Sequence, residues 1–140
     1  ADVNAQGGHY GTALQAVSWA GSEQLTTLLL NHNADVNTQG GYFGYALLAA
    51  SWAGHNSMIG RLLFAEGADI NAQGGYFGDA LQAASCVGND SMVQLLIRQG
   101  ADVNAQVHGG RYGTALWAAS IGSHWHVMGR LRRRKNTWKI

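Results

Sequence analysis

The stretch "NAQGGYFGDALQAASCVGNDSMVQLLIRQGADVN", residues 71–104, decides how the chain folds. Its "DALQAASCV" (79–87) is rich in small helix formers, with Leu81, Ala84 and Ser85 at helical spacing. That composition predicts a short helix able to lie close against neighbours on both sides. Gly88 ends it, because glycine accepts the left-handed conformation that closes a helix. "NDSMVQLLIRQ" (89–99) predicts a second helix, with Asp90 or Ser91 capping its first turn and Gly100 its end. Met92, Leu95 and Leu96 form its apolar stripe, which Val93 and Ile97 widen. The "GG", aromatic and Gly of 74–78 read as a tight, projecting hairpin-like turn, a finger, with positive φ angles.

Working outward, the same wording returns four times. Its "A-D-[VI]-N" link starts at Ala1, Ala34, Ala68 and Ala101, with spacings of 33, 34 and 33 residues. A fixed period in this range is the signature of a solenoid whose units stack on their neighbours. The expected architecture is one all-α domain with units of about 1–33, 34–67, 68–100 and 101–136. In the first unit Asn33 takes the closing glycine's place, and Asn is the next best residue there. Tyr10, Phe43, Phe77 and Tyr112 share one finger column, whose constant phase marks a packing wedge. Unit two holds one extra residue, placed near Gly60–Arg61, which predicts a bulge or overwound turn in its second helix. Unit four gains Val107 and His108 in its finger and loses one residue after Ser120. Its apolar triplet has become Leu131, Arg132, Arg133, so it reads as a polar terminal cap or a degenerate end.

The loop, short helix, turn, longer helix layout resembles the ankyrin repeat family along essentially the whole chain. The family's "TPLH" opening stands here as "TALQ", "YALL", "DALQ" and "TALW", and the chain has no proline. The Thr–His hydrogen bonds expected of the family are therefore replaced or lost. The "GG-[aromatic]-G-x-ALQAAS" wording is similar to fungal arrays of the family, often found at the C-terminal end of large multidomain NTPase receptors. Ala1 falls inside a unit, so the chain reads as a piece of something longer.

Catalytic chemistry finds no residue set. Ser18, Ser51, Ser85 and Ser120 recur in one helical column, whereas a nucleophile needs one serine beside a base and an acid. The Gly-Gly pairs lack a Gly-Lys-Ser/Thr ending, and no lysine precedes Lys135, so no phosphate cradle is expected. His124 and His126, flanking Trp125, diverge by about 200° on a helix and have no cysteine beside them, so neither a metal nor another cofactor is expected. Asp2, Asp35, Asp69 and Asp102 recur in the links, where they satisfy backbone amides. Cys86 stands where other units place Trp19 and Trp52, and a single cysteine suits a reducing, intracellular compartment, here the cytoplasm. No run approaches transmembrane length.

What remains is partner binding, and this too the resemblance supports. A family of this kind binds proteins through its fingers and the concave face of its first helices. The finger position before the aromatic holds His9, Tyr42, Tyr76 and Arg111; the position after the next Gly holds Thr12, Tyr45, Asp79 and Thr114. Variation inside a repeated frame marks residues that packing does not dictate. Trp19 and Trp52 fit either a contact surface or the space between helix layers. Two other readings stand beside the protein-binding scaffold. Residues 1–129 hold all eight acids against three arginines, a net of −5, whereas 130–140 hold six bases and no acid, +6. Arg130, Arg132, Arg133, Arg134 and Lys135 therefore form a basic tail suited to nucleic acid or another anionic surface, with Trp138 able to stack on a base. The third is self-assembly through uncapped ends, where unit one would expose part of its Leu25–Leu28–Leu29 stripe.

Overall fold

Several short helices in this chain begin where the side chain of Thr12, Ser22, Asp79, Asn89 or Thr114 takes up a free backbone amide. A computed structural model describes residues 2–54, 57–106 and 114–136, leaving out the side chains of 134–136. Its helices run α1 (Ala13–Ala20), α2 (Glu23–Asn31), α3 (Ala46–Trp52), α4 (Met58–Ala65), α5 (Ala80–Val87), α6 (Asp90–Arg98), α7 (Ala115–Ile121) and α8 (Trp125–Asn136). Among the described residues the order within each unit is finger or link, first helix, turn, second helix. The first helices α1, α3, α5 and α7 pack in one layer and α2, α4, α6 and α8 in another. The result is an all-α solenoid. The core runs along the seam between the layers, through Leu14, Leu47, Leu81, Ile59, Leu63, Met92, Leu96 and Leu131, none more than 2% exposed.

The second helices α2, α4 and α6 close alike. Asn33 (φ 67°), Gly67 (φ 87°) and Gly100 (φ 93°) turn left-handed. Each donates its N–H to Leu30, Phe64 or Ile97, and the following alanine donates to Leu29, Leu63 or Leu96. That pair of bonds satisfies carbonyls the helix end would leave open. Counting back from this fixed closure corrects two expectations. Ile59 falls in the buried column of Met92, so the extra residue of unit two lies in the turn before α4, and α4 runs unbroken through Gly60–Arg61. Gly60 marks close packing instead, since a Cβ there would stand 2.9 Å from Met92 Cε. Unit four loses nothing after Ser120: Ser123, at φ 58°, occupies the place of Gly21 and Gly88. His124 N–H then donates to Ala119 as Asn89 N–H donates to Ala84. A third correction concerns α6, whose cap is Asn89, accepting from Met92 N–H at 3.3 Å, and not Asp90 or Ser91.

The links lie along one edge. Asp2, Asp35, Asp69 and Asp102 each accept the N–H of the asparagine two residues on, at 2.9 to 3.1 Å. The asparagines then join units: Asn4, Asn37 and Asn71 accept from the N–H of Asp35, Asp69 and Asp102.

Candidate functional site

Each link runs directly into a finger, which leads to the next first helix. Each finger is closed by a two-residue bridge, Gly7 with Gly11, Gly40 with Gly44 and Gly74 with Gly78. Neighbouring fingers approach so closely that Tyr42 N–H donates to His9 at 2.8 Å and Tyr76 N–H to Tyr42 at 3.0 Å. Two columns of rings follow from that spacing. The inner one stacks Tyr10 on Phe43 (6.2 Å) and Phe43 on Phe77 (6.3 Å), with Phe43 and Phe77 buried. This is the packing wedge; Tyr112 lies outside the described residues. The outer one stacks His9 on Tyr42 (4.9 Å) and Tyr42 on Tyr76 (5.0 Å) near the finger tips, where His9 and Tyr42 are exposed and Tyr76 is half-buried. Arg111, expected to continue that column, lies outside the described residues.

The two tryptophans differ in exposure. Trp19 is 40% exposed at the inner end of α1, its ring 5.4 Å from Tyr10. Trp52 is half-buried and stacks at 4.1 Å on Phe77, tying α3 to the next finger. Thr12 and Asp79 turn out to be helix caps. Thr12 Oγ1 accepts from Gln15 N–H while Gln15 Oε1 accepts from Thr12 N–H, a reciprocal pair. Asp79 accepts from Gln82 N–H at 2.8 Å. Both are 5% exposed, so neither contributes to an open contact surface. Tyr45, in the same column, caps nothing and lies over the next finger, with its Cε2 3.2 Å from where a Gly74 Cβ would be. Burial pushes the Asp79 carboxyl up to about 6; the Gln82 amide pulls it down, and the Asp102 charge adds to the rise.

The first part of the basic segment is helical, as the end of α8, through Asn136. Arg130 is held within the fold: its Nε and Nη2 grip both oxygens of Asp90 on α6, the second at 2.9 Å. The Arg130 guanidinium holds the Asp90 carboxyl below its usual range, and the same bonds raise Arg130. Arg132 and Arg133 are exposed, while the side chains of Arg134 and Lys135 are not described. His124 and His126 sit in different surroundings. His124 Nε2 lies 2.9 Å from the Cys86 carbonyl, its ring wedged between Gly88 and Gly122, and His126 is exposed. Ser18, Ser51 and Ser85 are fully buried, and Ser51 bonds back to Leu47, which fits packing.

Sequence reasoning missed one group. Trp117, Ile121 and Trp125 are 58%, 52% and 72% exposed on unit four. The signal was available in the repeat frame, where Trp117 stands in the column of Gln15, Leu48 and Gln82. Among the described residues no helix is long and apolar enough to cross a membrane.

The family model for the ankyrin repeat matches residues 79–107, which span α5, α6 and the link that follows. No curated protein matches the chain.

Proposed function

We propose that this chain, an ankyrin-repeat protein, is a non-catalytic module that holds a protein partner against its fingers and the inner ends of its first helices. Ankyrin repeats are in general protein-interaction units, and the distribution of charge supports that use here. Residues 5–20, 38–53 and 72–87, which build the described fingers with α1, α3 and α5, contain no Lys, Arg or Glu. Their single acid, Asp79, is buried. The other charges of units one to three lie in the links, the second helices and their ends. A surface of His9, Trp19, Tyr42, Trp52 and Tyr76 without charges suits an extended segment with apolar side chains. Such rings bury large area at little rotamer cost, and no ion has to be stripped of water. In the sequence of unit four the matching position is Arg111, which would put one charge at the end of that uncharged surface, and a cytoplasmic setting fits the single unpaired thiol.

The test starts from peptides selected on the wild-type protein out of a random library. Changing Tyr42, Tyr76 and Arg111 together to Ala should weaken the selected peptides by about tenfold or more, as loss of hot-spot rings does, with helicity unchanged. Undiminished affinity in that variant contradicts the proposal. Self-association is the second reading, favoured by Leu25 and Leu28 of α2, which are 49% and 51% exposed. It predicts solution mass that grows with concentration.

A further inference from the structure

We propose that Tyr45 and Leu48 leave finger three without the glutamine bonds that fix finger two, which makes Tyr76 the adjustable ring of the partner surface. The inference rests on the finger surface proposed above and names the residues that set how its rings are held. From unit one, three side-chain hydrogen bonds run into finger two. Gln15 donates from Nε2 to the carbonyls of Gly40 and Gly44 at 2.8 and 2.9 Å, and Gln6 donates from Nε2 to the carbonyl of Gln39 at 3.1 Å. Gln15 is itself fixed, since its Oε1 accepts from Thr12 N–H at 2.7 Å. A hydrogen bond has a preferred angle as well as a length, so this set defines where finger two sits.

Unit two carries Tyr45 in the column of Thr12 and Leu48 in the column of Gln15. Leu48 is as buried as Gln15 but has no amide to give. Gln39, in the column of Gln6, lies with its Nε2 2.7 Å from where a Gly74 Cβ would stand. Among the described residues, neither Gln39 nor a side chain of α3 donates a hydrogen bond to finger three. Ring contact takes the place of those bonds: Trp52 stacks on Phe77 at 4.1 Å, and the Tyr45 ring lies over Gly74. Both joints keep one backbone bond, Tyr42 N–H to His9 and Tyr76 N–H to Tyr42. Their outer rings are spaced alike, at 4.9 and 5.0 Å. The joints therefore share a resting geometry and differ in the kind of force that keeps it. Apolar contact has no direction, so one surface can slide on the other where a paired hydrogen bond would resist. Unit three returns to the pattern, with Asp79 as cap and Gln82 behind it, so the exception falls inside the row. His9 and Tyr42 form a fixed pair, and Tyr76 shifts against them to fit a partner. Tyr45 and Leu48 are positioning residues that act through finger three.

The test is amide hydrogen exchange of the 140-residue protein, followed residue by residue by NMR. Tyr42 is 37% exposed and Tyr76 is half-buried, so burial alone would protect Tyr76 N–H better. The proposal predicts the reverse, with Tyr76 N–H exchanging about tenfold or more faster than Tyr42 N–H. Tyr45→Thr together with Leu48→Gln installs the pair of unit one and should slow Tyr76 exchange by a similar factor. Gln15 and Gln82 are buried in that column, so the fold accommodates the amide. Across peptides selected on the wild type, the double variant should spread affinities by about tenfold, keeping those that fit the resting geometry and losing those that need a shift. Tyr76 N–H at least as protected as Tyr42 N–H in the wild type, exchange that the double change leaves alone, or peptide affinities that it leaves unmoved would each overturn the proposal. The wild-type comparison decides even where the double variant unfolds, and it needs no partner. Failure of the finger surface itself shows instead as indifference to the alanine changes at Tyr42, Tyr76 and Arg111.

Discussion

At the scale of single residues, the same finger column does different work in different units. Thr12, Tyr45, Asp79 and Thr114 vary, and variation marks them as contact residues in the sequence; three of the four are caps whose side chains accept from the amide three residues on. The clue was local, a Thr followed three residues later by Gln15 just before an apolar run, which is a capping box. Asp79 is the odd member because its carboxyl is buried as a charge. Its folded value of about 6 lies above the ordinary 3.8, so the folded state holds the proton more tightly than the unfolded chain. Its contribution to stability is therefore complete below about pH 4 and is lost as the pH rises through about 6. Threonine already serves at Thr12 and Thr114. Asp79→Thr should thus stabilise the protein at neutral pH by about 1–3 kcal/mol, from a shift of about two units at 1.36 kcal/mol each. Urea unfolding at about pH 7.5 and pH 4.5 checks this; the advantage must shrink at the lower pH, and a constant advantage contradicts the account. Asp90 runs the other way, its stabilisation lost as the pH falls, so only the difference between variant and wild type isolates Asp79.

At the scale of elements, the helices and their ends were legible because their signals are short-range. The period, the stripe of Met92, Leu95 and Leu96, and the left-handed Asn33 all follow from a few neighbouring residues. The extra residue of unit two was misplaced because Ala- and Leu-rich repeats tolerate a shift of alignment; only the helix closure at Gly67 and Ala68 fixes the register. Invisible in sequence was how tightly one finger lies on the next. Gly75 has φ 68°, and a Cβ there would stand 2.4 Å from the carbonyl carbon and oxygen of Phe43, while Gly100, at φ 93°, has open space around it. Gly75→Ala should cost about 3 kcal/mol or more, adding a backbone clash to the left-handed penalty, against about 1–2 kcal/mol for Gly100→Ala. Gly100→Asn should cost less still, since Asn33 holds that conformation in unit one. Denaturant midpoints of the three variants give the ranking, and equal losses at Gly75 and Gly100 would rule out the close finger contact.

At the scale of the whole molecule, charge and aromatic rings are distributed unevenly along the stack. Charges sit in the links and second helices of units one to three, uncharged rings stack along the described fingers, and unit four exposes Trp117, Trp125 and Arg132. The rings were legible because Tyr42, Tyr76, Trp19 and Trp52 break a repeated frame with side chains that a spacer does not need. The exposure of Trp117 and Trp125 was not, since the matching positions Gln15, Leu48 and Gln82 are buried in the other units. The most direct test of the central claim is amide chemical-shift mapping of the isotope-labelled protein as a selected peptide is added. The account predicts perturbations gathered on His9, Tyr42 and Tyr76 and on the inner ends of α1 and α3 around Trp19 and Trp52. Perturbations confined to the second helices or to the Asp-Asn links, with the fingers silent, would contradict it.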